Sequence, residues 1–272
     1  MNGSFHLGSQ AMAVITVFSI KGGVGKTTLA TELAWRWAQT GARPTLLWDL
    51  DPQGGASFLT GGGEPQRQRA AAIFQRDGRP REAISASSVP GLSVIPADPS
   101  LRQLPQILPR CGARRLQQMT SLLRSEYKRI VLDCPAGLSA VSEQAIWAAD
   151  AIIVPLPPSP LSLRAFDQLR EELGRLYHRH APILPVLSMY NCRRELHREV
   201  RHGAGANWPA VPLAAQIEQV AVRRAPLASF APDSLPDRAL DRLWQGIEAR
   251  LARTDQAVRA PISFSPRQSI PA

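Results

Sequence analysis

The chain has 272 residues, 44% of them apolar and 20% charged, which suffices for one large α/β domain with a buried core. It lacks any run of 18 apolar residues that would span a bilayer. Its 32 basic and 22 acidic side chains give a net charge of +10 and a pI near 10.6, a balance that favours a polyanionic partner, either nucleic acid or an anionic lipid surface. Cys111, Cys134 and Cys192 are far apart, lack C-x-x-C spacing and read as reduced structural thiols, and the first dozen residues lack a secretory signal, so a cytoplasmic location is expected.

In chain order, residues 1–12 read as a disordered leader, 13–255 as one domain and 256–272 as a flexible tail. The apolar run 14–20 predicts a strand, and the amphipathic stretch 29–39 predicts a helix. Between them stands Lys21-Gly22-Gly23-Val24-Gly25-Lys26-Thr27-Thr28. Strand, glycine loop and helix in that order make a phosphate cradle: the glycines let backbone N–H groups turn inward, and the new helix points its positive end at the same anion. Lys26 then reaches the outer phosphates and Thr27 offers a hydroxyl to Mg²⁺. Only Lys21, Lys26 and Lys128 are lysines among the 32 basic residues. Two of the three therefore sit in this loop, where a compact charge on a flexible stem suits a phosphate better than a planar guanidinium does.

A second strand, 44–50, ends in Asp49-Leu50-Asp51-Pro52-Gln53-Gly54. Residues 54–81 look loop-like, apart from a short helical candidate at 69–75. Strand 92–95, helix 113–124 and strand 129–132 follow, the last ending in Asp133-Cys134-Pro135. Ser139 is a good N-cap for a helix to Ala148. Strand 151–156, helix 162–178, strand 183–188 and helix 236–253 complete the pattern. Alternating strands and helices predict an α/β fold, a mostly parallel sheet covered by helices on both faces, with its ligand at the carboxyl ends of the strands.

The glycine loop with its second lysine resembles the deviant Walker A motif of the ParA/MinD superfamily of ATPases. Asp49 to Gly54 resembles that family's switch I, and Arg129 to Pro135 its Walker B strand and switch II. The resemblance covers roughly residues 13–160 and implies a P-loop ATPase with ATP and Mg²⁺ as ligands. It implies Lys21, Gly22, Gly23, Val24, Gly25, Lys26, Thr27 and Thr28 around the phosphates, Thr27, Asp51 and Asp133 at the metal, and Asp51 as the group that orients the attacking water. Asp49 either shares that chemistry or bridges and caps the next turn. Lys21 is implied to cross a dimer interface to the partner's nucleotide, making the homodimer ATP-dependent. Asn191 resembles a base-contacting position, and a turn-forming asparagine reads equally well there.

For DNA contact the candidates are Arg223 and Arg224, with Arg238, Arg242, Arg250 and Arg253 at helical spacings in the last helix. The leading expectation is a ParA-type ATPase that binds DNA non-specifically and positions a plasmid, chromosome or protein cargo, with a stimulating adaptor or centromere-binding protein as partner. The alternatives are a MinD-like or cellulose-synthesis-associated positioning ATPase, at a membrane or on a protein machine, and an amide-forming P-loop synthetase. The proline-broken, weakly apolar stretch 264–271 argues against a membrane-binding helix, and no second pocket constellation argues for a synthetase.

Overall fold

The computed structural model describes residues 12–40, 44–62, 70–75, 77–176 and 180–259. Eight strands form one sheet in the order β3-β4-β2-β5-β1-β6-β7-β8. They are β1 (Ala13–Val17), β2 (Thr45–Asp49), β3 (Ser85–Ala86), β4 (Leu92–Ile95), β5 (Arg129–Asp133), β6 (Ala151–Leu156), β7 (Ile183–Tyr190) and β8 (Ala210–Pro212). Every pairing is parallel except that of the two-residue edge strand β3 with β4.

The helices are α1 (Lys26–Thr40), α2 (Gly55–Thr60), α3 (Leu104–Cys111), α4 (Arg115–Leu122), α5 (Ala140–Ala148), α6 (Pro160–Leu176), α7 (Glu195–His202), α8 (Ala215–Arg223), α9 (Leu227–Phe230) and α10 (Leu235–Arg259). Alternate residues of each central strand face opposite sides, so every one of them is buried. Val14, Ile130 and Leu132 join a core with α3, α4, α5 and α6, whereas Ile15, Val17 and Val131 join one with α1, α8 and α10. Helices therefore cover both faces, as the apolar strand runs predict.

The differences from the sequence pattern lie at boundaries, at the sheet edges and between β7 and α10, where α7, β8, α8 and α9 have no predicted counterpart. β1 stops at Val17 because Phe18 is the last residue whose N–H reaches the next strand, bonding Ile153 O at 2.9 Å, and the chain then turns into the glycine loop. The stretch read as loop contains α2, a six-residue helix between Gly54 and Gly61, both in the left-handed region. The 69–75 candidate is a 3₁₀ turn, Ala70–Phe74. α3 has no counterpart in the pattern, since its prolines read as breakers. Pro105 sits at the helix start, where its missing N–H costs nothing, and Pro109 comes in the last turns. Ser139 caps α5 in a capping box with Ser142. α10 is longer at both ends than predicted, and residues 1–11 and 260–272 lie outside the described residues.

The phosphate-side helix α1 is pinned to the end of the chain by buried charges. Glu32 accepts from Leu227 N–H at 2.8 Å, and Arg36 pairs with Asp237 at 2.6 Å and with Asp241 at 3.5 Å. Burial pushes the Glu32 carboxyl from 4.5 up to about 7, opposed by the Leu227 N–H bond and by Arg36. A carboxyl raised in the folded state favours folding most below its unfolded pKa, and that contribution is lost as pH rises toward 7. Glu32→Gln keeps an acceptor for Leu227 and removes the titration. Its stability relative to wild type should rise by roughly 2–3 kcal/mol between pH 5 and pH 8, at about 1.36 kcal/mol per pKa unit. Urea unfolding of both proteins at the two pH values measures this, and parallel behaviour would place the titration elsewhere.

Candidate active site

Register brings the acidic strand ends together. Val17 of β1 lies beside Asp133 of β5, and Asp133 beside Asp49 of β2, so three neighbouring strands end in one row at the carboxyl edge of the sheet. The glycine loop leaves β1 at that row. Gly23 and Gly25 have φ of 69° and 84°, and a Cβ on either would meet no neighbour within 4 Å. Glycine is therefore required there for its backbone conformation rather than for space. Lys26 opens α1 and is buried, while Thr27 and Thr28 are half-buried in the first turn.

The three acids have different surroundings. Asp133 is wholly buried, and neither of its carboxylate oxygens has a hydrogen-bond partner. Burial raises its pKa well above the usual range and the Asp49 charge adds to the shift; Thr27 and Lys26 oppose it without making a hydrogen bond of normal geometry. Asp49 accepts from Ser57 N–H at 2.8 Å, Ser57 Oγ at 2.7 Å and Asp51 N–H at 3.1 Å. Burial still lifts it to about 6 against those bonds. Both Asp49 oxygens are thus engaged in tying α2 and the Asp51 turn to the sheet. Asp51 is half-buried and accepts from Gln53 N–H at 2.9 Å.

Lys21 turns back on its own chain, its Nζ 3.5 Å from Ser162 Oγ in the first turn of α6, where Ser162 and Ser159 hydroxyls lie 2.8 Å apart. Beside the loop opens a mostly apolar cleft of about 210 Å³, lined among others by Gly25, Thr28, Ser188, Met189 and Ile217. Asn191 does not line this cleft. Its side chain accepts from Arg193 N–H at 2.9 Å in a local turn, and the residue lines a broader groove of about 1080 Å³ that shares Pro212, Leu213 and Ala214 with the cleft. The group the sequence did not single out is Ser188, whose Oγ is buried at the cleft with no partner among the described residues. Its signal was present in the sequence, a polar residue closing the apolar strand 183–188. Met189 beside it has φ of 54°, marking a chain forced to bend where β7 and β8 lose register.

The arginine candidates do not form one cluster. Arg223 rests over the Phe230 ring at 4.8 Å and Arg224 over the Phe58 ring at 4.3 Å. Arg242 lines the broad groove together with Asn191 and Arg193, and Arg238, Arg250 and Arg253 are exposed along α10. Cys134, between Asp133 and Pro135, is buried, and burial pushes its thiol well above the usual range.

Residues 12–186 match the family described as an AAA domain. Over 267 residues the chain is 30% identical to the chromosome partitioning protein ParA of Myxococcus xanthus, covering 94% of this chain and 92% of that one. The chain belongs to the ParA/MinD superfamily of P-loop ATPases. A second ParA, the chromosome partitioning protein of Caulobacter vibrioides, is 32% identical over 211 residues, covering 74% of this chain and 79% of that one. Among solved structures, the Cyanothece McdA(D38A)–ATP complex matches with a TM-score of 0.75 at 19% identity, covering 88% and 97% of the two chains. Cobyrinic acid a,c-diamide synthase from Mycobacterium smegmatis, with bound ATP analogue and magnesium, matches with 0.71 at 22% identity, covering 94% and 100%. At these identities the structures establish the fold alone.

Nucleotide and Mg²⁺ fit the residues of this ParA/MinD-type site. Asp133, with both oxygens lacking a hydrogen bond of good geometry among the described residues and with Lys26 and Thr27 beside it, gains a partner for its charged form when a cation arrives. Among the described residues no group of three or more His, Cys, Asp or Glu side chains is placed to hold a metal unaided.

Proposed function

We propose that this chain is a ParA-type ATPase that dimerises on ATP, binds DNA without sequence preference in that state, and positions or segregates a plasmid, chromosome or protein cargo until hydrolysis releases it. Lys26 and the loop N–H groups bind the phosphates, Thr27 and Asp133 hold Mg²⁺, and Asp51 orients the attacking water. The ion supplies neutralisation of phosphate charge, which is most of what this chemistry requires of its site. The observation that carries the reading is Lys21. It sits at the start of the loop, and among the described residues its Nζ has one hydrogen bond, a long one to Ser162. A lysine that contacts nucleotide only across a dimer makes ATP favour the dimer, because a ligand shifts an equilibrium by its differential affinity for the two states. The named relatives, both chromosome partitioning proteins, and the +10 charge support the DNA-bound cargo role. Turnover is expected to be slow and to rise with an adaptor or centromere-binding partner.

Light scattering with ATP and with ADP tests the dimer: wild type should double in mass with ATP alone, and Lys21→Ala should stay monomeric while still binding nucleotide. A wild-type dimer from Lys21→Ala would return this lysine to an ordinary loop charge. The DNA step has its own expected result. The ATP form should bind duplexes of any sequence, with log affinity falling against log salt by about 0.9 per phosphate contacted. Replacing Arg223 and Arg224 together with Glu should weaken binding to all sequences alike and leave the dimer intact. A dimer that ignores DNA at low salt and sediments with anionic liposomes would instead identify a membrane-positioning ATPase.

A further inference from the structure

Helix α2 physically joins the nucleotide side of the molecule to Arg224. Its start abuts the glycine loop: a Cβ on Gly55 would meet Thr27 Cγ2 at 3.0 Å. One turn on, Ser57 donates to Asp49 through both N–H and Oγ, and Ser57 Oγ also accepts from Ala97 N–H at 2.9 Å. The helix is only six residues long and is bounded by glycines at φ of 66° and 60°, a backbone that side-chain-bearing residues rarely adopt. It is a short element between two tight glycine turns, with its root at Thr27 and the acidic strand ends.

Its outer face carries Phe58, a large apolar side chain left 52% exposed. The Arg224 guanidinium covers that ring at 4.3 Å. Arg224 is itself unusually placed, because it ends α8 in the left-handed region at φ 48°, with its N–H bonded to Val220 O. That cap fixes the backbone where the helix ends, and from it the Arg224 side chain reaches the Phe58 ring. Upstream of Arg224, α8 lines the cleft beside the glycine loop through Ile217, Glu218 and Ala221. Arg224 thus lies where an element contacting the nucleotide side ends on one rooted at Asp49 and Thr27.

We propose that the Phe58–Arg224 stack is the contact through which the nucleotide state of the Asp49-to-Gly54 segment sets the position of the arginine surface, making Phe58 a positioning residue for polyanion binding. The identity of the polyanion rests on the DNA reading above, and the link itself does not. A conformational link of this kind is reciprocal: whatever factor a nucleotide adds to DNA affinity, DNA adds to nucleotide affinity, and couplings of about 5- to 150-fold are typical.

Two exposed-site variants separate stacking from packing. Phe58→Leu keeps apolar bulk and loses the ring face, and Phe58→Trp keeps a face that attracts a cation more strongly. Amide hydrogen exchange across residues 220–231, with and without a non-hydrolysable ATP analogue and Mg²⁺, reads the link without DNA. Wild type and Phe58→Trp should change exchange there on nucleotide addition, and Phe58→Leu should not. Duplex affinity in the analogue and ADP states, at one salt concentration, reads its use. In Phe58→Leu the ratio between the two states should fall to within about twofold, although light scattering still finds the analogue-bound dimer. A Phe58→Leu protein that retains the exchange response or the full ratio overturns the proposal, because dimerisation alone then carries the coupling; so does a wild type with no exchange response. If the response depends on Phe58 and neither state binds DNA, the DNA function falls and the link stands.

Discussion

Asp51→Ala should bind ATP with near wild-type affinity and hydrolyse it at least ~10²-fold more slowly, whereas Lys26→Ala should fail to hold the nucleotide at all. Losses of about 10²–10⁴ follow removal of a group that positions or activates the attacking water. The two residues differ in their surroundings as well as their roles. Lys26 is buried at the first residue of α1, where an ammonium without phosphate has little compensation except Asp133 nearby. Asp51 is half-buried in a turn, and its side-chain hydrogen bond is a local one from Gln53 N–H two residues on, with none to the glycine loop among the described residues. Removing it should leave the cradle intact. Titration with a fluorescent nucleotide separates binding from turnover, and phosphate release gives the rate. Normal turnover by Asp51→Ala would transfer the water-orienting role to another group and leave Asp51 as a turn former.

The central site was legible because its signals are local and mutually consistent. A glycine loop between an apolar strand and a helix, and acids at the ends of two further apolar runs, need only parallel pairing to meet. The registers Val17 to Asp133 and Asp133 to Asp49 supply it. What the sequence hid falls into two kinds. Some elements are too short or too punctuated for periodicity: α2 has six residues between glycines, β8 has three, and α3 contains two prolines. Other features are contacts across the chain with no local signal at all. Lys21 meets Ser162 across 141 positions, and Arg224 meets Phe58, yet in the sequence these are just a loop lysine and one of many arginines. Asn191 shows the reverse, a suggestive position at a strand end that the fold turns toward the broad groove. Helical spacing likewise grouped Arg242 with the other α10 arginines without placing them near Arg223 and Arg224.

The largest stability loss is expected at a residue far from the phosphates. Glu248→Ala should lower the free energy of unfolding by about 3–5 kcal/mol, the range for leaving one member of a buried ion pair uncompensated. Arg129, the first residue of β5, is fully buried and donates to Glu248 from Nε at 2.7 Å and from NH2 at 3.0 Å. Trp37 of α1 donates to the same carboxylate at 2.7 Å, so one side chain of α10 holds both the strand that ends in Asp133 and the helix that begins with Lys26. The pair need not be stabilising compared with an apolar replacement, since taking two charges out of water costs about what their attraction returns. Arg129→Met with Glu248→Gln removes both charges and keeps an acceptor for Trp37. This double variant should therefore recover most of the loss, and recovery distinguishes a buried guanidinium that has lost its carboxylate from simple loss of packing. Denaturant unfolding of the single and double variants measures both terms. Saturating ATP and Mg²⁺ should return part of the single-variant loss, about 2.7 kcal/mol at a ligand concentration 100 times the Kd. A loss under 1 kcal/mol for Glu248→Ala would mean that water reaches Arg129 and that β5 is held by its neighbouring strands alone.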